Sequence, residues 1–186
     1  MKKLVILGAQ ESGVGAALLA KKLGIPVFVS DAGNIPERFR TRMESAGIEY
    51  EQGGHTVRTV LAADEVIKSP GIPETASIVR SLRSQGVPVI GEIEFAARHT
   101  NAPIIGITGS NGKTTTTLLV HHILSKAGMD AGLGGNVGTS FAGLVAQGDH
   151  AIYVLELSSF QLDGTRTLKP HIAVITNITP DHLDRY

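Results

Sequence analysis

No cysteine occurs among the 186 residues. That excludes a disulfide frame, a thiolate zinc site and a thiol nucleophile. Net charge is missing too, since 17 basic and 17 acidic side chains cancel. A nucleic-acid or anionic-membrane protein would show a basic excess, so neither partner is expected. No apolar run approaches the 18 or so residues of a membrane-spanning helix. The opening Met1-Lys2-Lys3-Leu4-Val5-Ile6-Leu7 imitates a signal peptide only briefly. Gln10 and Glu11 interrupt it and no small-residue cleavage site follows, so a first buried strand in a cytoplasmic protein is expected. Tryptophan is absent and aromatic residues are few, whereas glycine reaches 22 of 186 residues. Against an average usage of about 7% that is an excess, and it points to many tight strand-to-helix turns.

A chain of this length holds one domain or two small ones and buries a real core. Short apolar runs alternate with helical patterns throughout. Strands are expected at 3–8, 27–30, 65–68, 87–90, 104–108, 131–133, 151–156 and 172–177. Helices are expected near 15–23, 36–46, 74–85, 92–100, 113–127, 140–146 and 162–168. Strands apolar on both faces, separated by helices, indicate βαβ units and parallel sheet. The fold class is therefore α/β, with ligand loops at the strand C-termini. A boundary is expected near Gly91, dividing the chain into 1–91 and 92–186. Each part opens with an apolar strand, a glycine-rich loop and a helix.

The second loop is the stronger signal: Ile104-Ile105-Gly106-Ile107-Thr108-Gly109-Ser110-Asn111-Gly112-Lys113-Thr114-Thr115. Such glycines let backbone N–H groups turn toward phosphate oxygens, and the following helix start adds partial positive charge. Lys113 can reach the β- and γ-phosphates and the Thr114 hydroxyl can ligate Mg²⁺. The strict phosphate-loop pattern fails at one position, because Ile107 stands where a glycine is required and Gly106 precedes it. The run Ala151–Leu155 ends in Glu156, where a Mg²⁺-linked acid sits in nucleotide enzymes. A third strand leads into Asn177-Ile178-Thr179-Pro180-Asp181-His182, and an imidazole there suits a divalent metal or a phosphate.

The first loop, Gly8-Ala9-Gln10-Glu11-Ser12-Gly13-Val14-Gly15, approximates a dinucleotide fingerprint followed by Asp31. Gln10 replaces the middle glycine that lets a pyrophosphate approach the backbone, which disfavours NAD. A nucleotide diphosphate held by Ser12 and Asp31, or a plain packing turn, both remain open. Lys68-Ser69-Pro70-Gly71-Ile72-Pro73 is either a stiff connection or one wall of a crevice. Gly134-Gly135-Asn136-Val137-Gly138 is either a turn or a phosphate surface.

These motifs resemble the ATP-dependent Mur ligases of peptidoglycan synthesis, which share their ATP loop with folylpolyglutamate synthetases. Ser69–Pro73, Gly91-Glu92-Ile93-Glu94-Phe95, Gly134–Gly138 and above all Glu156-Leu157-Ser158-Ser159-Phe160-Gln161-Leu162 are similar to the D-glutamate-adding branch. The resemblance runs from Lys3 to Tyr186. It implies a Rossmann-like domain for the UDP-sugar and a phosphate-loop domain for ATP, incomplete here. A third domain, a lysine carbamate and the amino-acid site would lie further on, so this chain is expected to be an N-terminal fragment, inactive alone, of a monomeric parent. The substrates implied are UDP-N-acetylmuramoyl-L-alanine, ATP and D-glutamate, with Mg²⁺ as cofactor. By motif position, Ser12, Asp31, Ser69, Gly71 and Asn136 would face the UDP-sugar. Gly109, Ser110, Asn111, Gly112, Lys113, Thr114 and Thr115 would hold ATP. Lys113, Glu156 and His182 would serve catalysis, and Thr114, Glu156 and His182 would surround the metal. The alternatives are another Mur-type or folylpolyglutamate ligase, and a nucleotide-binding module without chemistry.

Overall fold

Interior strands that are apolar at nearly every position must be covered on both sides, and the computed structural model, which describes residues 3–180 and 183, has two sheets built around such strands. The first contains β1 (Leu4–Leu7), β2 (Val27–Asp31), β3 (Glu49–Gln52), β4 (Glu65–Lys68) and β5 (Val89–Ile90). Its order is β3-β2-β1-β4-β5 and every pairing is parallel. The second contains β6 (Ile104–Thr108), β7 (Ala131–Gly135), β8 (Ile152–Glu156) and β9 (Ile172–Ile175), ordered β7-β8-β6-β9 and again parallel. In both sheets the first strand is interior and its C-terminal end opens into a glycine loop. This is the switch-point geometry in which α/β sheets bind ligands.

The helices are α1 (Glu11–Lys22), α2 (Glu37–Ser45), α3 (Val57–Leu61), α4 (Ser77–Ser84), α5 (Glu92–Ala97), α6 (Lys113–Lys126), α7 (Phe141–Gln147) and α8 (Ser159–Leu162). The largest core cluster spans both sheets: Leu4, Ile6 and Leu19 share it with Phe141, Tyr153 and Leu155. Burying each such large side chain contributes about 1.5–3 kcal/mol. Where α1 meets α7 the contact is made by glycines. A Cβ on Gly15 would lie 2.0 Å from Ser140 Oγ and 2.9 Å from Gly143 N. Gly15→Ala should therefore push these helices apart and lower stability by about 1–3 kcal/mol, read as a reduced urea midpoint.

Four points of the sequence reading need correction. The helix expected at 162–168 forms instead at 159–162. Ser158 and Gln161 build a capping box that starts it early, and the backbone amides of Arg166, Thr167 and Leu168 donate to the Glu94 carboxylate rather than continuing it. β3 was not expected, because Glu49-Tyr50-Glu51-Gln52 is polar and forms an edge strand; α3, between β3 and β4, was not expected either. The strand expected at 87–90 shortens to 89–90, since Pro88 lacks an N–H for the ladder. At the other sheet, β9 is an edge whose Ile172 and Ile175 are exposed. No helix among the described residues is long and apolar enough to cross a membrane.

Candidate functional site

Gly109 and Gly112 take positive φ values of +132° and +82°, which L side chains rarely adopt. A Cβ at Gly109 would also sit 2.2 Å from Thr176 Oγ1. These two residues let the chain leave β6, pass close to the end of β9 and enter α6. The amides of Ser110 and Asn111 donate to Asn177, through its backbone O and its Oδ1. The loop is thus tied down from the side. The first intrahelical bond of α6 runs from Thr116 N to Gly112 O. The preceding amides, those of Lys113, Thr114 and Thr115, are the orphan donors of a helix start and the natural seat for phosphate. Lys113 Nζ donates to Gly109 O at 2.6 Å and to Ser110 O at 3.0 Å, which holds its charge over the loop. A cavity of about 350 Å³ lies alongside, lined by Gly109, Ser110, Lys113, Ser158, Asn177 and Thr179 among others.

Glu156, at the end of β8, is only 2% exposed. Thr114 Oγ1 donates to its Oε2 at 2.7 Å and Asn136 Nδ2 to its Oε1 at 2.7 Å. Asn136 reaches it because Gly135, with φ +98°, turns β7 against β8 so closely that a Cβ would meet Glu156 O at 2.2 Å. The Gly-Gly-Asn run is therefore a device that places an amide on a buried carboxylate. Thr114 and Glu156 form a hard oxygen donor pair of the kind Mg²⁺ accepts, since that ion uses one or two carboxylates and completes its shell with water and phosphate. No group of three His, Cys, Asp or Glu side chains suited to a metal occurs among the described residues. Asp181 and His182 lie outside those residues.

The second crevice, of about 570 Å³, opens at the C-terminal ends of β1, β2 and β4. Ser12, Asp31, Ser69 and Gly71 all line it, together with Gln10. Asn136, grouped with them by sequence, sits on Glu156 instead. Asp31 organises the loop: its Oδ2 accepts from Ala9 N at 2.7 Å and its Oδ1 from Gly33 N at 2.8 Å. Gly8 has φ +90°, and a Cβ on Gly13 would lie 1.8 Å from Gly8 O. The sequence reading missed His55, which also lines this crevice. It follows the polar edge strand β3, and recognising that strand would have flagged the residue. Burial alone would raise the Glu51 carboxyl, but hydrogen bonds from Ser30 and Thr56 hold it below its ordinary value.

The sequence matches two family models, a MurD N-terminal domain over residues 3–78 and a Mur ligase middle domain over 107–186. A UDP-N-acetylmuramoylalanine-D-glutamate ligase of Christiangramia forsetii is 54% identical, over 100% of this chain and 42% of that protein. A protein of the same name from Cytophaga hutchinsonii is 57% identical, with the same coverage on both sides. The crystal structure of UDP-N-acetylmuramate:L-alanyl-gamma-D-glutamyl-meso-diaminopimelate ligase from Neisseria meningitides superposes with a TM-score of 0.66. At 22% identity, over 100% of this chain and 63% of that one, it supports the fold. The chain spans less than half the length of the ligases it matches in sequence. With a MurD-type N-terminal domain followed by middle-domain sequence, and with more than half its residues shared with such ligases, the chain belongs to the Mur ligase family.

Proposed function

We propose that this chain supplies the UDP-sugar crevice and the phosphate loop of an ATP-dependent ligase that joins D-glutamate to UDP-N-acetylmuramoyl-L-alanine. The observation that carries this reading is the Thr114–Glu156–Asn136 array beside the loop, in a chain whose relatives bear that ligase name. A carboxylate and an amine do not combine unaided at neutral pH, because the carboxylate is a poor electrophile. Transfer of the γ-phosphoryl group of ATP to the alanine carboxylate makes an acyl phosphate. The D-glutamate amine then attacks the carbonyl, and inorganic phosphate leaves with the oxygen. Lys113 and the amides of 113–115 neutralise charge on the transferring group, so catalysis is mainly positioning and electrostatics. Thr114 and Glu156, together with His182, would hold Mg²⁺, whose chemistry there would be further neutralisation of phosphate charge. Asn136 spends its amide nitrogen on Glu156, which leaves its Oδ1 as the atom that would meet the UDP-sugar. Function in the cytoplasm fits this chemistry, since its nucleotide substrates are made there.

Calorimetric titration with UDP-N-acetylmuramoyl-L-alanine tests the reading. The chain should bind it, and Asp31→Ala should weaken binding about 10-fold or more by releasing the Ala9 and Gly33 amides. No binding by the unmodified chain would overturn it.

A further inference from the structure

The orientation of His55 follows from proton counting. Ser30, buried at the end of β2, has its Oγ 2.6 Å from Glu51 Oε1 and 2.7 Å from His55 Nδ1. Glu51 is a carboxylate and only accepts, so the single Ser30 hydroxyl hydrogen goes to it. Ser30 Oγ can then only accept from His55, and Nδ1 must carry a hydrogen. In the neutral ring Nε2 is left as an acceptor, directed away from Ser30 by the ring geometry. Nε2 has no hydrogen-bond partner among the described residues, and the ring lines the 570 Å³ crevice with Asp31 and Ala32.

The crevice has two chemically distinct ends. The start of α1, with Ser12 in its first turn, offers donors to a diphosphate. The side formed by β2 and the turn after β3 offers acceptors: each Asp31 oxygen already receives one backbone N–H group and keeps one lone pair, whereas His55 Nε2 receives none among the described residues. A nucleoside brings donors that need an acceptor there. We infer that His55 is a specificity-determining residue that accepts a hydrogen bond at Nε2 from the nucleoside half of the UDP-sugar. The donor is either a ribose hydroxyl or the imide N–H of uracil. This inference rests on the proposed function, and its test separates the two.

The experiment titrates the 186-residue chain calorimetrically with UDP, 2′-deoxy-UDP, 3′-deoxy-UDP and 3-methyl-UDP. His55→Asn is the variant of choice, because its amide nitrogen occupies the place of Nδ1 and keeps the bond to Ser30 while nothing reaches the crevice. His55→Asn should bind UDP about 10-fold more weakly, the loss of one hydrogen bond. One analogue should bind the unmodified chain comparably weakly and suffer no further loss in the variant. A deoxy analogue in that role identifies a ribose hydroxyl, and 3-methyl-UDP identifies the uracil imide. An unchanged UDP affinity in His55→Asn overturns the inference, as does an equal loss for all four ligands, which marks a merely structural role. If the unmodified chain binds no UDP at all, the proposed function falls with it; binding that is indifferent to His55 removes the inference alone.

Discussion

Glu92→Gln should stabilise this chain at pH 7 by about 3 kcal/mol, and the gain should vanish near pH 4. Glu92 begins α5 and is completely buried against the start of α7. Its Oε1 accepts from Ala142 N, while its Oε2 has no partner among the described residues. Burial pushes its carboxyl up to about 8; the Ala142 amide opposes this and the Glu11 carboxylate adds to it. In the unfolded chain the group ionises near 4.5. Between these values the folded state binds one proton more than the unfolded state, so stability falls as pH rises, by about 1.4 kcal/mol per unit. Glutamine keeps the acceptor for Ala142 N and never titrates. Urea melts at pH 7 and pH 4 measure the difference, and a Tm rise of roughly 6–12 °C at pH 7 corresponds to it. Equal gains at both pH values would show that the titration of Glu92 is not the cause.

Glu94, two residues along, behaves in the opposite sense. It is fully buried and accepts five hydrogen bonds: from Arg98 Nε, Thr167 Oγ1 and the amides of Arg166, Thr167 and Leu168. Burial alone would raise its carboxyl, but these donors hold it down at about 2. Arg98 also donates to Glu65 at 2.9 Å, so β4, α5 and the segment before β9 are joined through Arg98 and two carboxylates, Glu65 and Glu94. Glu94→Ala removes one of the two carboxylates that hold the partly buried Arg98 guanidinium and strands three amides, and should cost about 3–5 kcal/mol and roughly 10 °C in Tm. A group whose carboxyl is depressed on folding contributes stability above its unfolded value of 4.5, and loses it as pH falls toward 2. The unmodified chain should therefore lose about 3 kcal/mol through Glu94 in that window, a loss absent from Glu94→Ala. A variant that melts like the unmodified chain at pH 7 would refute the joint.

Much of the candidate site was legible because it is local. The φ angles of Gly109 and Gly112, the run from β6 into α6, and the acid at the end of β8 each depend on residues within a few positions. The Ser158–Gln161 capping box is local as well, but it went unread, and the helix was expected at 162–168 where it forms at 159–162. Asn136 was visible as part of a glycine turn, but its partner was not, because Glu156 lies on another strand. His55 was missed since its meaning depends on Ser30, across a sheet pairing that a polar strand conceals.

The sequence by itself determined the alternation of parallel strands and helices, the two glycine loops and the residues at their rims. Backbone preference and hydrophobic pattern act over short stretches, so they can be read without coordinates. Only the tertiary structure decided the chemistry of the carboxyls. Glu92 and Glu94 stand in one short motif, Gly91-Glu92-Ile93-Glu94-Phe95, with identical side chains. One is pushed up to about 8 and the other held at about 2. The difference lies in donors brought from about 50 and 70 residues away, one amide at Ala142 and a cluster at 166–168. Proton affinity is set by what surrounds a group, and packing supplies those surroundings.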